Sequence, residues 1–539
     1  MIDPARPDYT NTPVASGRPR YSYTPVDRSA PPCVTIVTPF YNAGAIFEET
    51  AYSVLRQSLQ QWEWLIVNDG STEPESLAIL NAYRSRDPRI RVIDHGINVG
   101  LSAARNTGFQ AARTPYVVQL DSDDLLEPTA VEKWGWFLES HPEWAFVKGY
   151  SVGFGAQEYL WAEGFSSGGA VLDDNLVNPT SAVRKAVHQA VGGYDEGLRD
   201  GFEDWDFWLR CASYGYWGGT VPEYLDWYRR RPAHSDRWAN WDNGERQQAF
   251  QAGLRRRYAR LWEGKFPKIQ LRQFSPQEPV PEVLPWENGL RSPEPRLLLL
   301  LSSLSPGEVV SGSPEFLERL SGQGWAVSVS ALQGDSSWLS RCARFTADVF
   351  IPPHFLRLAD YPRFLHYLLR SRQVAVVLMA HAEGEDLLLP YLRAYFPEVR
   401  FVDLLGRTAG GQREGKVLRV PGAPFAVEHI TEKLSTLLQE LRRAPAPQPP
   451  PTPSSVPLQV CVRAIEYGRL AEALRKFWPE PGASFGRISR LVGLRGADRR
   501  TLLYFAIRRF LLPYYRAARG KNEQRLLPLK QMLKRALLG

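Results

Sequence analysis

Between residues 33 and 124, short β-branched runs alternate with helical segments, and two of the runs end in acidic loops. CVTIVT (33–38) reads as a buried strand that stops at Pro39, and helical spacing follows over 45–60. WEWLIVNDGS (62–71) is a strand ending in a turn, 74–86 a helix, and IRVIDH (90–95) a strand. LSAARNTGFQAA (101–112) is a helix, and YVVQLDSDD (116–124) a strand running into carboxylates. This alternation predicts an α/β fold with a parallel sheet and a right-handed crossover in each unit. Ligands of such sheets bind beyond the carboxyl ends of the strands. NDGS and DSDD both lie there.

The rest of the 539 residues extends the pattern. A length of this order suggests about three or four units. With 44% hydrophobic and 23% charged residues, wholesale disorder, collagen and coiled coil are excluded. We expect an arm over 1–30, a first α/β domain over 31–262, and a Pro/Glu-rich linker over 263–295. A second α/β domain follows over 296–443, then a Pro-rich linker over 444–457 and a basic helical tail over 458–539. The Trp-rich stretch 130–260 holds helical segments around 131–140 and 203–213. Its Trp134, Trp136, Trp144, Trp161, Trp205, Trp208, Trp217 and Trp227 are expected mostly in the core.

Net charge is +7, but residues 481–539 hold 14 Lys and Arg against 2 Asp and Glu, which leaves the remainder acidic. Cys33, Cys211, Cys342 and Cys461 are far apart and form no CxxC pair, so neither a disulfide framework nor a zinc site is expected, and a reducing compartment fits. MIDPARPDYT has no apolar h-region, so no signal peptide is expected. LLLLLSSL (297–304) is too short to span a bilayer, and 502–515 is broken by Arg508 and Arg509.

Asp121, Asp123 and Asp124 crowd one strand end. Carboxylates so placed repel unless a cation sits among them, and hard oxygen ligands suit Mg²⁺ or Mn²⁺. An acidic turn capping the next helix is the plain alternative. Glu203 and Asp204 open an amphipathic helix that turns Trp205, Trp208 and Leu209 inward, and acids in a first turn also serve the helix dipole. NDGS alone reads as an Asp-Gly turn.

Taken together, TIVTPFYNAG (35–44), SVLRQSLQQWEWLIVNDGST (53–72), NVGLSAARNTG (98–108), LDSDD (120–124) and VGGYDEGLRDGFEDWDFWLR (191–210) resemble the family 2 glycosyltransferases with their GT-A nucleotide-sugar-binding fold. The likeness spans about 30 to 260. It implies that Pro39 and Tyr41 border the nucleobase, that Asp69 hydrogen-bonds it, and that Arg105 lies near the diphosphate. It further implies that Asp121 and Asp123 form the metal-holding DXD pair, assisted by Asp124, and that Asp204 of the ED motif is the general base, with Glu203 beside it. His234 is a further metal or phosphate ligand in this reading, against a solvated loop histidine. The implied partners are a nucleotide-diphosphate sugar, with UDP the usual nucleotide, and a glycan or lipid-linked acceptor in cell-surface polysaccharide synthesis. The implied cofactor is a divalent metal, Mg²⁺ or Mn²⁺.

A non-catalytic glycan-binding scaffold of the same shape is the alternative, and intact DSDD and ED argue against it. A nucleotidyltransferase would carry Lys or Arg in the loop after the first strand, where this chain has TPFYNAGAIFEE. Residues 296–440 more weakly resemble the N-terminal Rossmann-like half of family 4 (GT-B) glycosyltransferases, without the donor-binding second half. The tail interleaves Arg508, Arg509, Arg516 and Arg519 with Phe505, Phe510 and Leu511. It reads either as a peripheral membrane contact, placing a cytoplasmic protein on the inner membrane face, or as a helical cap on the protein. No nucleic acid is expected, since no recognition module accompanies the charge.

Overall fold

The computed structural model describes residues 23–199, 201–231, 244–271, 283–301, 304, 314–333, 339–342, 345–380, 392–393, 395–403, 418–419 and 427–443. The Pro-rich linker 444–457, the basic tail and most of the arm lie outside the described residues.

Two short strands, β1 (Thr24–Pro25) and β11 (Leu290–Arg291), pair antiparallel. The first large sheet is built from β2 (Val34–Phe40), β3 (Trp62–Asp69), β4 (Ile90–His95), β5 (Tyr116–Gln119), β6 (Leu125–Leu126), β7 (Phe146–Gly155), β8 (Tyr159–Trp161), β9 (Ser181–Arg184) and β10 (Gly218–Arg230). Its order is β4-β3-β2-β5-β9-β7-β10-β6, with β8 paired to β7. Helices α1 (Phe47–Leu55), α2 (Pro74–Arg86), α3 (Leu101–Ala111), α4 (Ala130–Ser140), α5 (Lys185–Ala190), α6 (Glu203–Ser213) and α7 (Gly244–Arg257) accompany it.

The first four strands are parallel, as the alternation predicts. Beyond β5 the sheet is mixed, which corrects the expectation of a parallel sheet: β9 runs antiparallel to both β5 and β7. The chain reaches β9 from β7 through the β8 hairpin and a kinked 3-10 segment over Phe165–Leu172, without an α-helical crossover.

Strand periodicity divides the core. Ile36, Trp64 and Ile66 face Phe47 and Tyr83, while Val37 and Leu65 face Phe109. Gly108 lets α3 lie close on β2, because a Cβ there would come within 2.2 Å of Val37 Cγ1. That close seat carries Arg105, one turn earlier, to the strand ends.

The second sheet comprises β12 (Arg296–Leu301), β13 (Ala326–Ala331), β14 (Val349–Phe350), β15 (Val374–Ala380), β16 (Arg400–Asp403) and β17 (Leu418–Arg419). All its pairs are parallel, in the order β14-β13-β12-β15-β16-β17. Its helices are α8 (Pro314–Gln323), α9 (Leu339–Cys342), α10 (Pro352–Phe355), α11 (Tyr361–Arg372) and α12 (Val427–Arg443). In β12, Leu297, Leu299 and Leu301 serve a core of this unit alone, while Leu298 and Leu300 join the core of the first unit.

The join centres on α4 and α11. Trp136 packs against Phe364, Tyr367 and Trp286, with ring centroids 5.1–5.6 Å apart. Beside these rings Arg372, fully buried, grips both oxygens of Glu132 at 2.7 and 2.6 Å and also Asp348 at 2.8 Å. Tyr367 and Ser58 donate further hydrogen bonds to Glu132. Nearby, Lys133 and His354 both bind Glu223 on β10. Asn288, within the segment the sequence reads as a linker, is buried and caps Gln60 N and Ser58 O. Among the described residues no helix is long and apolar enough to cross a membrane.

Candidate active site

The carboxyl ends of β2, β3 and β5 open on the same side of the sheet, as parallel pairing dictates. At the end of β2, Pro39 is buried and Tyr41 is half-exposed. At the end of β3, Asp69 is buried and accepts from the amides of Val99 (3.0 Å) and Gly100 (2.9 Å). His95 Nδ1 lies 2.9 Å from the same carboxylate, and its Nε2 lies 3.0 Å from Thr107 Oγ1. Asp69 therefore fastens the loop 95–100 that enters α3. Gly70 makes the approach: at φ +71°, a Cβ would sit 2.4 Å from the Ile97 carbonyl carbon.

The aspartate loop follows β5. Arg105, almost fully buried, donates to Asp121 (2.7 Å) with one arm and to Glu203 (2.6 Å) with the other. Arg231 donates to Asp123 at 2.9 Å, while Arg229 reaches the Asp123 carbonyl at 2.7 Å and also pairs with Glu49. Asp124 is buried and accepts from the Arg229 amide at 2.8 Å. Burial, with the neighbouring charge of Asp121, raises the Asp123 carboxyl above its ordinary range, against the pull of Arg231. Burial and the charges of Asp123 and Asp121 raise Asp124 well above it.

Helix α6 presents the second acidic pair. It follows two left-handed residues, Gly201 (φ +104°) and Phe202 (φ +59°). A bulky side chain in that region costs about 1–2 kcal/mol. Packing of Phe202 on Trp205 and Phe250 holds it there. The turn sets Glu203 and Asp204 at the helix start, while Trp205, Phe207, Trp208 and Leu209 sink into the core. Asp206, wholly buried, anchors the helix through Arg210, Arg257 and Tyr258. Asp204 accepts from Asn175 Nδ2 (3.1 Å) and from the Trp205 amide (2.8 Å). Burial first, then the Glu203 charge, raises its carboxyl to about 7, with Arg105 opposing. A carboxylate at that value can take a proton near neutral pH.

Through Arg105 the structure brings Asp121, Glu203 and hence Asp204 into one site, although Asp121 and Glu203 lie far apart in sequence. Asp123 and Asp124 lie beside them; His234 falls outside the described residues.

Residues 35–185 match the protein-family model described as glycosyl transferase family 2. Residues 35–185 thus carry a domain of that family. RfbC, an O-antigen biosynthesis protein of Myxococcus xanthus, is 32% identical over 186 residues, covering 34% of this chain and 14% of the relative. TuaG, a putative teichuronic acid biosynthesis glycosyltransferase of Bacillus subtilis (strain 168), is 42% identical over 102 residues, covering 19% of this chain and 40% of the relative. The chain thus spans less than half the length of either relative. Among solved structures, S. aureus TarS shares 19% identity over 37% of each chain, with a TM-score of 0.32.

The first unit also carries residues that motif reasoning left unassigned. Asn175 touches the ED carboxylate, yet it lies in an irregular segment with no periodic signal. Arg231, at the end of an arginine run, pairs with Asp123. Behind the aspartate loop, Lys148, Ser151, Asn178 and Asp226 form a buried polar cluster that no local pattern announces. Among the described residues no group of three or more His, Cys, Asp or Glu is arranged to hold a metal ion.

Proposed function

We propose that the protein is an inverting, metal-dependent glycosyltransferase that moves a sugar from a nucleotide-diphosphate donor, UDP-linked by the likeness, to a hydroxyl of a glycan or lipid-linked acceptor. The observation that carries this reading is the bridge from Asp121 through Arg105 to Glu203, which joins the aspartate loop to the ED helix. In the reaction the acceptor oxygen attacks the anomeric carbon as Asp204 takes its proton, and the bond from that carbon to the diphosphate oxygen breaks. Configuration inverts because attack and departure are on opposite faces.

Asp121, Asp123 and Asp124, with His234, would hold Mg²⁺ or Mn²⁺. By donor type the three aspartates fit, since they offer hard oxygens; burial first, then their mutual repulsion, raises Asp123 and Asp124, and a divalent cation would relieve that repulsion. Such an ion, when bound, neutralises charge on the departing diphosphate. Pro39 and Tyr41 border the base. Asp69 shapes its pocket from behind, through the loop 95–100. Arg105 acts from its buried bridge by holding Asp121 and Glu203 in place. Glu203 keeps the Asp204 carboxyl raised.

The names of RfbC and TuaG support a place in envelope polysaccharide assembly. We read 296–443 as a Rossmann-like unit, supported by its parallel six-stranded order. We give it no transferase site of its own; the join at α4 makes it a brace for the first domain. The arm, the two linkers and the basic tail complete the proposed organisation, with the protein in the cytoplasm and the tail (458–539) resting on the inner membrane face. Flotation with anionic liposomes checks that last point: a chain lacking 481–539 is expected to stay in the soluble fraction while the full chain floats.

A panel of UDP- and GDP-sugars, each with and without Mn²⁺ or Mg²⁺, tests the main reading by thermal shift. Stabilisation should need both donor and metal. If no nucleotide sugar moves the melt with either ion, the reading is lost. Asp123→Ala should abolish the metal-dependent part of nucleotide binding in isothermal titration, and unchanged affinity with Mn²⁺ would remove Asp123 from the metal set.

A further inference from the structure

We propose that Asn175 is a positioning residue for Asp204, fixing the carboxylate through a side-chain hydrogen bond. The inference rests on reading Asp204 as the base. Its amide Nδ2 donates to Asp204 Oδ1 at 3.1 Å, the same oxygen that accepts from the Trp205 amide. Two donors on Oδ1 orient the carboxyl group and leave Oδ2 to face a substrate proton.

Asn175 can hold this geometry because its segment is tied down on both sides. Val177 O accepts from Trp208 Nε1 (3.3 Å), so the segment is bonded to α6 itself. Asn178, buried, donates to Asp226 and Ser151 at 3.1 Å. Pro179 O accepts from Gln119 Nε2, and Thr180 Oγ1 lies 3.5 Å from Asp124. On the outer side, Gln251 donates to Asp173 O (2.9 Å) and Gln247 to Asp174 Oδ1 (3.3 Å), both from α7. One stretch of six residues thus reaches from the ED carboxylate to the aspartate loop, and a shift at one end is felt at the other. The second face of the amide, Asn175 Oδ1, is buried without a hydrogen-bond partner among the described residues. A buried unpaired acceptor is costly, which argues that the side chain is held for what its NH₂ does.

The charged and titratable groups around Asp204 are Glu203 on its own helix, Arg105 from α3, Tyr194 from the segment before α6, and Tyr228 from β10. A donor to the ionised form lowers a carboxyl's pKa, so removing it raises the value. The Asn175 bond works in that direction, against burial and Glu203.

The test is a pH titration of the full chain labelled with ¹³Cγ aspartate, the Asp204 signal being the one lost in Asp204→Asn. Asn175→Ala should move its midpoint upward by about half a pH unit or more. Asn175→Asp, which keeps the volume and brings in a second carboxylate, should move it further and serves if the alanine variant does not fold. A wild-type midpoint near 7 that neither variant shifts overturns the positioning role and leaves the base assignment standing. A wild-type midpoint near 4 defeats Asp204 as a base tuned to neutral pH, whereas an upward shift from there still supports the Asn175 contact.

Discussion

Asp204→Asn is expected to cut sugar transfer by about 10²- to 10⁴-fold, the range that a positioned general base supplies, while nucleotide-sugar binding persists. The same substitution has a signature that needs no acceptor. The folded-state carboxyl is raised to about 7, against an ordinary value of about 4 in the unfolded chain. Below pH 4 the group is protonated in both states and contributes nothing. As pH climbs from 4 to 7 the unfolded chain ionises freely while the folded one resists, so this group lowers stability progressively and then levels off above 7. The asparagine variant lacks that decline. Its melting temperature should match the wild type near pH 4 and exceed it at pH 8. Near-normal turnover would remove Asp204 as the base, and a melting difference independent of pH would contradict its raised carboxyl.

The other large effect is expected far from the reacting atoms. Arg372→Met should destabilise the protein by about 3–5 kcal/mol, the usual consequence of stripping one partner from a buried ion pair. The residue is fully buried between Glu132 and Asp348, and its loss strips Glu132 of its counter-charge and leaves Asp348 with Arg296 alone. Burial, opposed by Arg372 and then Arg296, sets Asp348, and the arginines prevail, holding it down at about 2. Thermal or urea unfolding measures the loss. A double variant, Arg372→Met with Glu132→Gln, should recover part of it, because the stranded Glu132 charge is then gone. A single variant that melts within a degree of wild type would refute the account of the join.

Legibility followed burial pattern. The strands β2 and β3 are readable as short apolar runs, α6 by its one-sided apolar face, and α2 by Pro74 at its start, because the ends of these elements carry Pro, Gly or acids. Strands β7 and β10 are not. Each buries charge inside the run, Lys148 in one and Glu223 and Asp226 in the other, which breaks the apolar signal a strand should give. Helix α11 hides for the same reason, since Arg363 and Arg372 point inward to partners that local sequence does not contain. At the site, the acidic motifs announce Asp121, Asp123, Asp204 and Glu203. That Arg105 would link them, or that Asp69 would be spent on backbone amides, depends on loops that only the folded chain brings together.

The shared core at α4 has a bearing on inheritance. The family model matches residues 35–185 alone, which suggests a cassette that chains could exchange freely. Glu132 forbids a simple swap here. A borrowed domain without it would strand Arg372 beneath the aromatic seam, and this chain's own domain, grafted elsewhere, would carry an orphan carboxylate and an uncovered Trp136. Chimaeras should therefore survive only when the α4 face and the 348–372 stretch travel as a pair, and substitutions at the two are expected to arise together.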